Sequence, residues 1–258
     1  MGYKAYAEHA LVAAMAASKY LREQLGKSTK LEDSRKDFVT KEDRESQCIV
    51  TKILALKNPK IPFYGEEDLG KASTKGLLWI IDPWDGTVNG FYGDGASSVS
   101  IALVENGRTV AAALSFVNEE LHIWSTREEA MFDEPKRDPY YPRVNSETNL
   151  ARARVFIDPP KGAQELFLSL FGKLAKATLY PKVPLCATGG LASVARGRIS
   201  GYVHPHPEPF DIAAACLVVE RAGGTVTDLE GNRWTSFSSS IVATNGKIHD
   251  ELLITLNR

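Results

Sequence analysis

The stretch Trp79-Ile80-Ile81-Asp82-Pro83-Trp84-Asp85-Gly86-Thr87 sets two carboxylates, a glycine and a hydroxyl close together along the chain. The apolar run Leu77 to Ile81 predicts a buried strand that stops at Asp82, with Pro83 fixing a turn. Two acids held at a strand end suit a hard divalent cation such as Mg²⁺, which prefers oxygen ligands. Gly86 lets the backbone approach an anion closely, and Thr87 supplies a hydroxyl beside it. Amides at the start of a following helix hold phosphate well. Together these residues are equipped for metal-assisted hydrolysis of a phosphate ester. The plainer alternative is a turn with surface acids, since Asp-Pro and Asp-Gly are good turn formers.

Two other acidic stretches bear on that choice. Glu66-Glu67-Asp68 follows a short predicted strand, Ile61 to Tyr64. Alone it reads as a solvated charge run; if the two strands share a sheet, Glu66 approaches Asp82. Asp211, in Pro209-Phe210-Asp211-Ile212-Ala213-Ala214-Ala215, begins a helix and reads as its N-cap. That helix is small and apolar, hence buried, and an acid at its inward end can both cap and ligate. His204-Pro205-His206-Pro207-Glu208-Pro209 reads as a rigid extended loop, because its prolines favour polyproline geometry; a histidine metal site is the competing reading. Cys48, Cys186 and Cys216 lie far apart among apolar neighbours and read as small core residues.

The elements that must position these residues follow from periodicity. Tyr3 to Leu25 predicts an amphipathic helix stopped by Gly26. Residues 27–37 read as a polar loop whose Lys30, Arg35 and Lys36 either close over phosphate or a third ion, or are solvated. Thr40 with Glu42 and Asp43 resembles a capping box opening a helix to about Leu56. Ser98 to Val104, Thr109 to Val117 and Glu120 to Ser125 read as antiparallel strands, and residues 133–149 as a linker. Beyond it come strand Val155–Asp158, helices Ala163–Ala175 and Gly189–Arg196, strand Gly201–His204, helix Ile212–Ala222, strands Thr225–Leu229 and Ile241–Thr244, and helix Ile248–Leu256. Arg196 and Arg198 read as surface residues. The pattern predicts an α+β lobe over residues 1–145, carrying most of the metal ligands, and an α/β lobe over 146–258, carrying Asp211 and part of the substrate site.

Composition narrows the partners. The chain has 258 residues, 43% hydrophobic and 24% charged, ordinary for a soluble globular protein. A net charge of −1 gives no basic surplus, so no nucleic-acid partner is expected. No run approaches the ~20 apolar residues of a membrane span. Glu8, His9 and Lys19 interrupt any secretory h-region, so no membrane partner and a cytoplasmic location are expected.

The motifs together resemble the inositol monophosphatase family of lithium-sensitive, magnesium-dependent phosphatases, over nearly the whole chain. Asp37-Phe38-Val39-Thr40-Lys41-Glu42-Asp43 is similar to the family's early D-x-V-T-x-x-D segment, and Gly65-Glu66-Glu67 to its G-E-E element. Asp82-Pro83-Trp84-Asp85-Gly86-Thr87 matches D-P-x-D-G-T. Phe210-Asp211-Ile212-Ala213-Ala214 with Ala222-Gly223-Gly224 resembles W-D-x-A…A-G-G, with Phe for Trp, and Ile241-Val242-Ala243-Thr244-Asn245-Gly246 its closing strand. The resemblance implies a layered α-β-α-β-α sandwich of the α+β class, commonly a homodimer, that hydrolyses a small phosphate ester, most often inositol monophosphate. It implies two to three Mg²⁺ ions, with Mn²⁺ as a substitute. Glu66, Asp82 and the Trp84 carbonyl would hold one ion; Asp82, Asp85 and Asp211 a second; a third would sit near Glu66. Thr87, oriented by Asp43, would help deprotonate the attacking water, with Glu66 the third catalytic residue. Asp85, Gly86, Thr87 and Asp211 would contact substrate or phosphate. His204 falls where some inositol phosphatases carry a substrate-contacting Glu. Fructose-1,6-bisphosphatase activity, alone or alongside, is an alternative within the family; 3'-nucleotide bisphosphate phosphatase and an inactive metal-binding protein are more distant. The haloacid dehalogenase type, with its D-x-D-G-T motif and Asp nucleophile, is the nearest rival, but here Pro83 and Trp84 separate the acids where that pattern has one residue.

Overall fold

A computed structural model describes residues 2–27, 30–33, 38–160 and 162–258. The chain opens with α1 (Tyr3–Gln24), the short pair β1 (Lys30–Asp33) and β2 (Phe38–Thr40), and α2 (Lys41–Lys57). Then come β3 (Phe63–Gly65), β4 (Leu69–Gly70), β5 (Leu77–Asp85), α3 (Thr87–Tyr92), β6 (Ser98–Glu105), β7 (Arg108–Phe116), β8 (His122–Thr126), β9 (Ala130–Glu134) and β10 (Arg137–Tyr140). The remainder is β11 (Val155–Ile157), α4 (Gln164–Ala177), α5 (Ala187–Ala195), β12 (Gly201–His204), α6 (Pro209–Arg221), β13 (Thr225–Thr227), β14 (Ile241–Thr244) and α7 (His249–Asn257).

Two sheets organise these elements. One has eight strands in the order β10-β9-β8-β7-β6-β5-β3-β4; the other has four, β11-β12-β14-β13. Side-chain alternation shows how the layers stack, because successive strand residues face opposite sides. Leu78 and Ile80 of β5 join a core with α5 and α6, whereas Trp79 and Ile81 join a different core with α1 and α2. In the small sheet, Phe156, Tyr202 and Ala243 face the α5–α6 core, while Val155, Val203 and Val242 face α4 and α7. The result is α1/α2, large sheet, α5/α6, small sheet, α4/α7: the α-β-α-β-α sandwich of the α+β class. α1 approaches the large sheet closely because Ala7, Ala10, Ala13, Ala14 and Ala17 form its fully buried stripe. No helix of the described residues is long and apolar enough to cross a membrane.

Several sequence expectations need correction. β5 does not stop at Asp82: it continues to Asp85, pairing with Ser98 across a register shift between Asp82 and Asp85. Proline is tolerated there because a bulge frees its position from the ladder. The presumed linker over 133–149 begins as sheet, since β9 and β10 extend the large sheet to Tyr140. The presumed loop over 27–37 contains β1, which pairs with β2. Arg35, Lys36 and Asp37 lie outside the described residues; Lys30 places its ammonium 5.4 Å from the Phe91 ring. Arg196 is not a surface residue: its side chain is 8% exposed and ion-paired with Glu119 and Glu134. Cys216 and Cys186 are buried, but Cys48 is half-buried.

Candidate active site

β3 and β5 run parallel, with Gly65 opposite Ile81, so the residues that follow, Glu66 and Asp82, emerge side by side at the strand ends. Asp82 and Asp85 share the bulged end of β5, and Asp211 comes from the first turn of α6. Glu66, Asp82, Trp84, Asp85, Thr87 and Asp211 all line one cavity of about 250 Å³, with Gly86 among them.

Each side chain is fixed by identifiable bonds. The Ser46 hydroxyl donates to the Pro83 carbonyl at 2.7 Å, tying the bulge to α2. Asp82 accepts the Trp84 N–H at 3.0 Å. Gly86 has φ +78°, and a Cβ there would lie 2.8 Å from the Ala96 carbonyl, so only glycine fits where the strand turns into α3. Asp85 is turned toward the start of α5: it accepts the N–H of Thr188 at 2.7 Å and of Ala187 at 3.2 Å, the Cys186 thiol at 3.2 Å, and the Thr188 hydroxyl. Asp211 is not the N-cap; that position belongs to Glu208, and Asp211, three residues on, reaches back to accept the Glu208 N–H at 2.7 Å. Pro209 at the first helical position displaces the start of the helix upstream of the expected Ile212.

Thr87 and Asp43 form a second constellation. The predicted capping box is present: Asp43 accepts the Thr40 N–H at 2.8 Å, and Thr40 accepts the Asp43 N–H at 3.3 Å. The other Asp43 oxygen lies 3.0 Å from the Thr87 hydroxyl, which also sits 2.8 Å from the Trp84 carbonyl. Burial pushes the Asp43 carboxyl up to about 6, even though Thr40 and Thr87 donate to it. That value suits a group exchanging a proton near neutrality.

The electrostatics at Asp82 test whether the site fits a divalent cation. Burial raises the Asp82 carboxyl well above its ordinary range, and Glu66, Asp85 and Asp211 push it further in that order. Burial likewise raises Asp85, against the donors from Thr188, Cys186 and Ala187. Among the described residues no three acidic, histidine or cysteine side chains close into a ready-made metal cage. Asp85 and Asp211 are turned onto protein donors, yet the carboxylates stand near enough to repel one another strongly. An all-oxygen donor set with Asp82 and Asp85 buried and Glu66 and Asp211 half-buried is neutralised by protons or by a hard cation, and this composition fits Mg²⁺.

Sequence reasoning overlooked three contributors. Asp158, 4% exposed, lines the same cavity and accepts the Leu185 N–H at 2.7 Å and the Tyr202 hydroxyl at 2.9 Å. Burial raises it to about 7. Its signal was legible: Ile157-Asp158-Pro159 repeats the apolar-strand-then-Asp-Pro pattern of Ile81-Asp82-Pro83. Cys186 is buried as expected but is also a cavity wall and an Asp85 donor, and Thr188 anchors the same carboxylate. His204 ends strand β12 as the sequence predicts, at the point where the proline-rich segment begins; burial holds its imidazole down at about 3, so it is neutral, with Nδ1 accepting the His206 N–H at 3.4 Å.

Comparison with known proteins identifies the family and the fold. The family description "Inositol monophosphatase family" matches residues 3–258. A Thermotoga maritima protein named fructose-1,6-bisphosphatase/inositol-1-monophosphatase is 30% identical over 226 residues, covering 86% of this chain and 83% of its own. The inositol-1-monophosphatase of Bacillus subtilis is 31% identical over 218 residues, covering 83% and 81%. The extragenic suppressor protein suhB of Bartonella henselae superposes with a TM-score of 0.88 at 27% identity, covering 98% of this chain and 99% of that one. Similar relatives are named histidinol-phosphatase in Mycobacterium tuberculosis and putative Nus factor SuhB in Neisseria meningitidis, at 30% and 31% identity.

Proposed function

The chain belongs to the inositol monophosphatase family and is a phosphoric monoester hydrolase, and we propose that it hydrolyses a small sugar or polyol monophosphate, foremost inositol monophosphate, without a phosphoenzyme. The observation that carries this is the convergence of Glu66, Asp82, Asp85 and Asp211 on one cavity beside the Asp43–Thr87 pair. Glu66, Asp82 and the Trp84 carbonyl would hold one Mg²⁺, and Asp82, Asp85 and Asp211 a second; Mn²⁺ and a third ion near Glu66 belong to the same proposal. Bound there, the cation supplies Lewis acidity, acidifying water and neutralising charge on the transferring phosphoryl group.

The chain's own residues do the rest. The Thr87 hydroxyl accepts a proton from the attacking water while passing its own to Asp43, whose raised carboxyl is matched to that task. The water oxygen bonds to phosphorus as the ester P–O bond breaks in line, and the departing alkoxide takes a proton from solvent water to leave as the alcohol. Backbone amides of Gly86 and Thr87 orient the phosphate oxygens, and Glu66 aligns the nucleophile. The lobe of residues 1–145 supplies most of these groups, and the lobe of 146–258 brings Asp211. Homodimerisation, lithium inhibition and a cytoplasmic location belong to the same reading.

Fructose-1,6-bisphosphatase activity is the second reading, favoured by the name of the T. maritima relative. Phosphate release with Mg²⁺ from inositol 1-phosphate, fructose 1,6-bisphosphate, histidinol phosphate and adenosine 3',5'-bisphosphate discriminates them. Fastest release from inositol 1-phosphate supports the proposal. A preference for any other replaces the substrate, and trapping of an aspartyl-phosphate analogue by beryllium fluoride would overturn the mechanism.

A further inference from the structure

We infer that a second cavity, at the far end of α6, binds a small anion bearing two or more phosphate groups. This cavity, of about 360 Å³, is ringed by four arginines from distant parts of the chain: Arg108 at the start of β7, Arg127 just after β8, Arg221 at the end of α6, and Arg233 between β13 and β14. Asp211 and Arg221 are ten residues apart on one helix, so the two cavities stand about 15 Å apart along it.

Glu220 is the one acid lining the cavity with the four arginines. Among the described residues, ion pairs engage Lys4, Arg22, Arg44, Arg137, Arg196 and Arg198, and none of the four around this cavity. Another arginine-rich cavity, near Tyr140, differs: of its four arginines, Arg137, Arg196 and Arg198 are ion-paired with Glu134 or Glu119, leaving Arg143. Arg108, Arg127, Arg221 and Arg233 are solvent-exposed, so water and salt screen their mutual repulsion, and their common positive charge is available to attract an anion at low ionic strength. Two are oriented by the protein: Arg221 donates from Nη1 to the Arg127 carbonyl, and the Arg127 guanidinium lies 5.6 Å from the Tyr3 ring centroid.

The remaining wall argues for size and valence. Glu220 and the C-terminal carbonyls of α6 oppose an anion, so a single negative charge gains little there. A ligand with several phosphate oxygens can engage more than one planar guanidinium fork at once. Trp234, 6% exposed, and the buried Thr109 form part of the wall, a concave surface of small-ligand dimensions. Thr109 donates to the Ala213 carbonyl at 2.7 Å, tying this wall to the helix that carries Asp211.

Calorimetric titration of the full chain with tripolyphosphate, in EDTA and at low ionic strength, tests this. EDTA leaves the catalytic cavity acidic and repulsive to anions, so binding reports the arginine cavity. Saturable binding is expected, and Arg108→Gln with Arg233→Gln, both exposed positions, should weaken it at least roughly tenfold without altering the far-ultraviolet circular dichroism. Asp82→Asn should leave it unchanged. Absence of binding, equal affinity in the double variant, or loss of binding in Asp82→Asn overturns the inference. So does saturable binding of a tetraglutamate peptide with none of tripolyphosphate, which would assign the surface to a protein partner.

Discussion

Asp82 is the carboxylate at which burial and repulsion add. It is 2% exposed and faces Glu66, Asp85 and Asp211. Asp82→Asn keeps the shape and removes a charge, so turnover should fall by at least ~10³-fold, read as phosphate release at saturating substrate and Mg²⁺. Asp43 makes a pH prediction. Its carboxyl sits at about 6 and must be ionised to receive a proton, so kcat should fall with pH below that value. Asp43→Asn should cut kcat by on the order of 10²–10⁴-fold and erase that acid limb, whereas a purely structural role would leave the pH profile intact. His204 affects stability with a definite sign. Its imidazole is held at about 3 when folded, against about 6.5 unfolded, so the unfolded chain gains a proton first. Its neutral burial therefore costs nothing above about pH 6.5 and destabilises progressively as pH falls below that, by roughly 2 kcal/mol at pH 5. Urea midpoints of His204→Asn relative to the parent should rise between pH 6.5 and 5; a constant difference would refute the assignment.

Sequence elements contribute through how their ends are fastened. The end of β5 is a bulge stitched to α2 by Ser46 and to α5 by Asp85, so one short segment joins three layers. Thr188→Val removes a hydroxyl from Asp85 while keeping its volume. It should cost about 1–3 kcal/mol in denaturant unfolding and lower kcat as the carboxylate swings. What was readable in the sequence follows the same division. Strands β12 and β14 and the capping box at Thr40 carry strong local signals and were placed correctly. Features decided by tertiary partners were not. The strand running on past Pro83 depends on β6 accepting a register shift, and the sheet strands within 133–149 depend on β8 being there to pair with. Asp211 as third helical residue depends on Pro209 at the first. The carboxylates were legible because acids at strand and helix ends stand out against apolar runs, and Asp158 carried the same strand-then-Asp-Pro pattern; Thr188 was not legible, since a lone threonine becomes informative only when α5 is brought against β5.

The whole molecule trades stability for the site it builds. Three hydrophobic cores hold two sheets and six longer helices in register, and the cavity opens where strands of the large sheet meet helices that also serve the small one. Packing forces Asp82 and Asp85 into that seam, where burial raises both. A carboxyl raised in the folded state destabilises the fold at neutral pH, because the unfolded chain ionises freely. Two consequences follow with opposite signs. Cation binding to the folded state alone should stabilise it, by about 2.7 kcal/mol at a hundredfold excess over Kd. For a chain of this length that raises Tm by roughly 5–10 °C, against an EDTA-treated reference. Asp82→Asn relieves the repulsion without a cation, so in EDTA it should melt above the parent, while its Mg²⁺-induced rise should shrink toward zero. A variant more stable than the parent, inactive and indifferent to Mg²⁺ is the signature of a carboxylate kept for chemistry at the expense of the fold. Scanning calorimetry of both proteins with and without Mg²⁺ reads all four states, and an Asp82→Asn protein less stable than the parent in EDTA would show that Asp82 is held by favourable contacts instead.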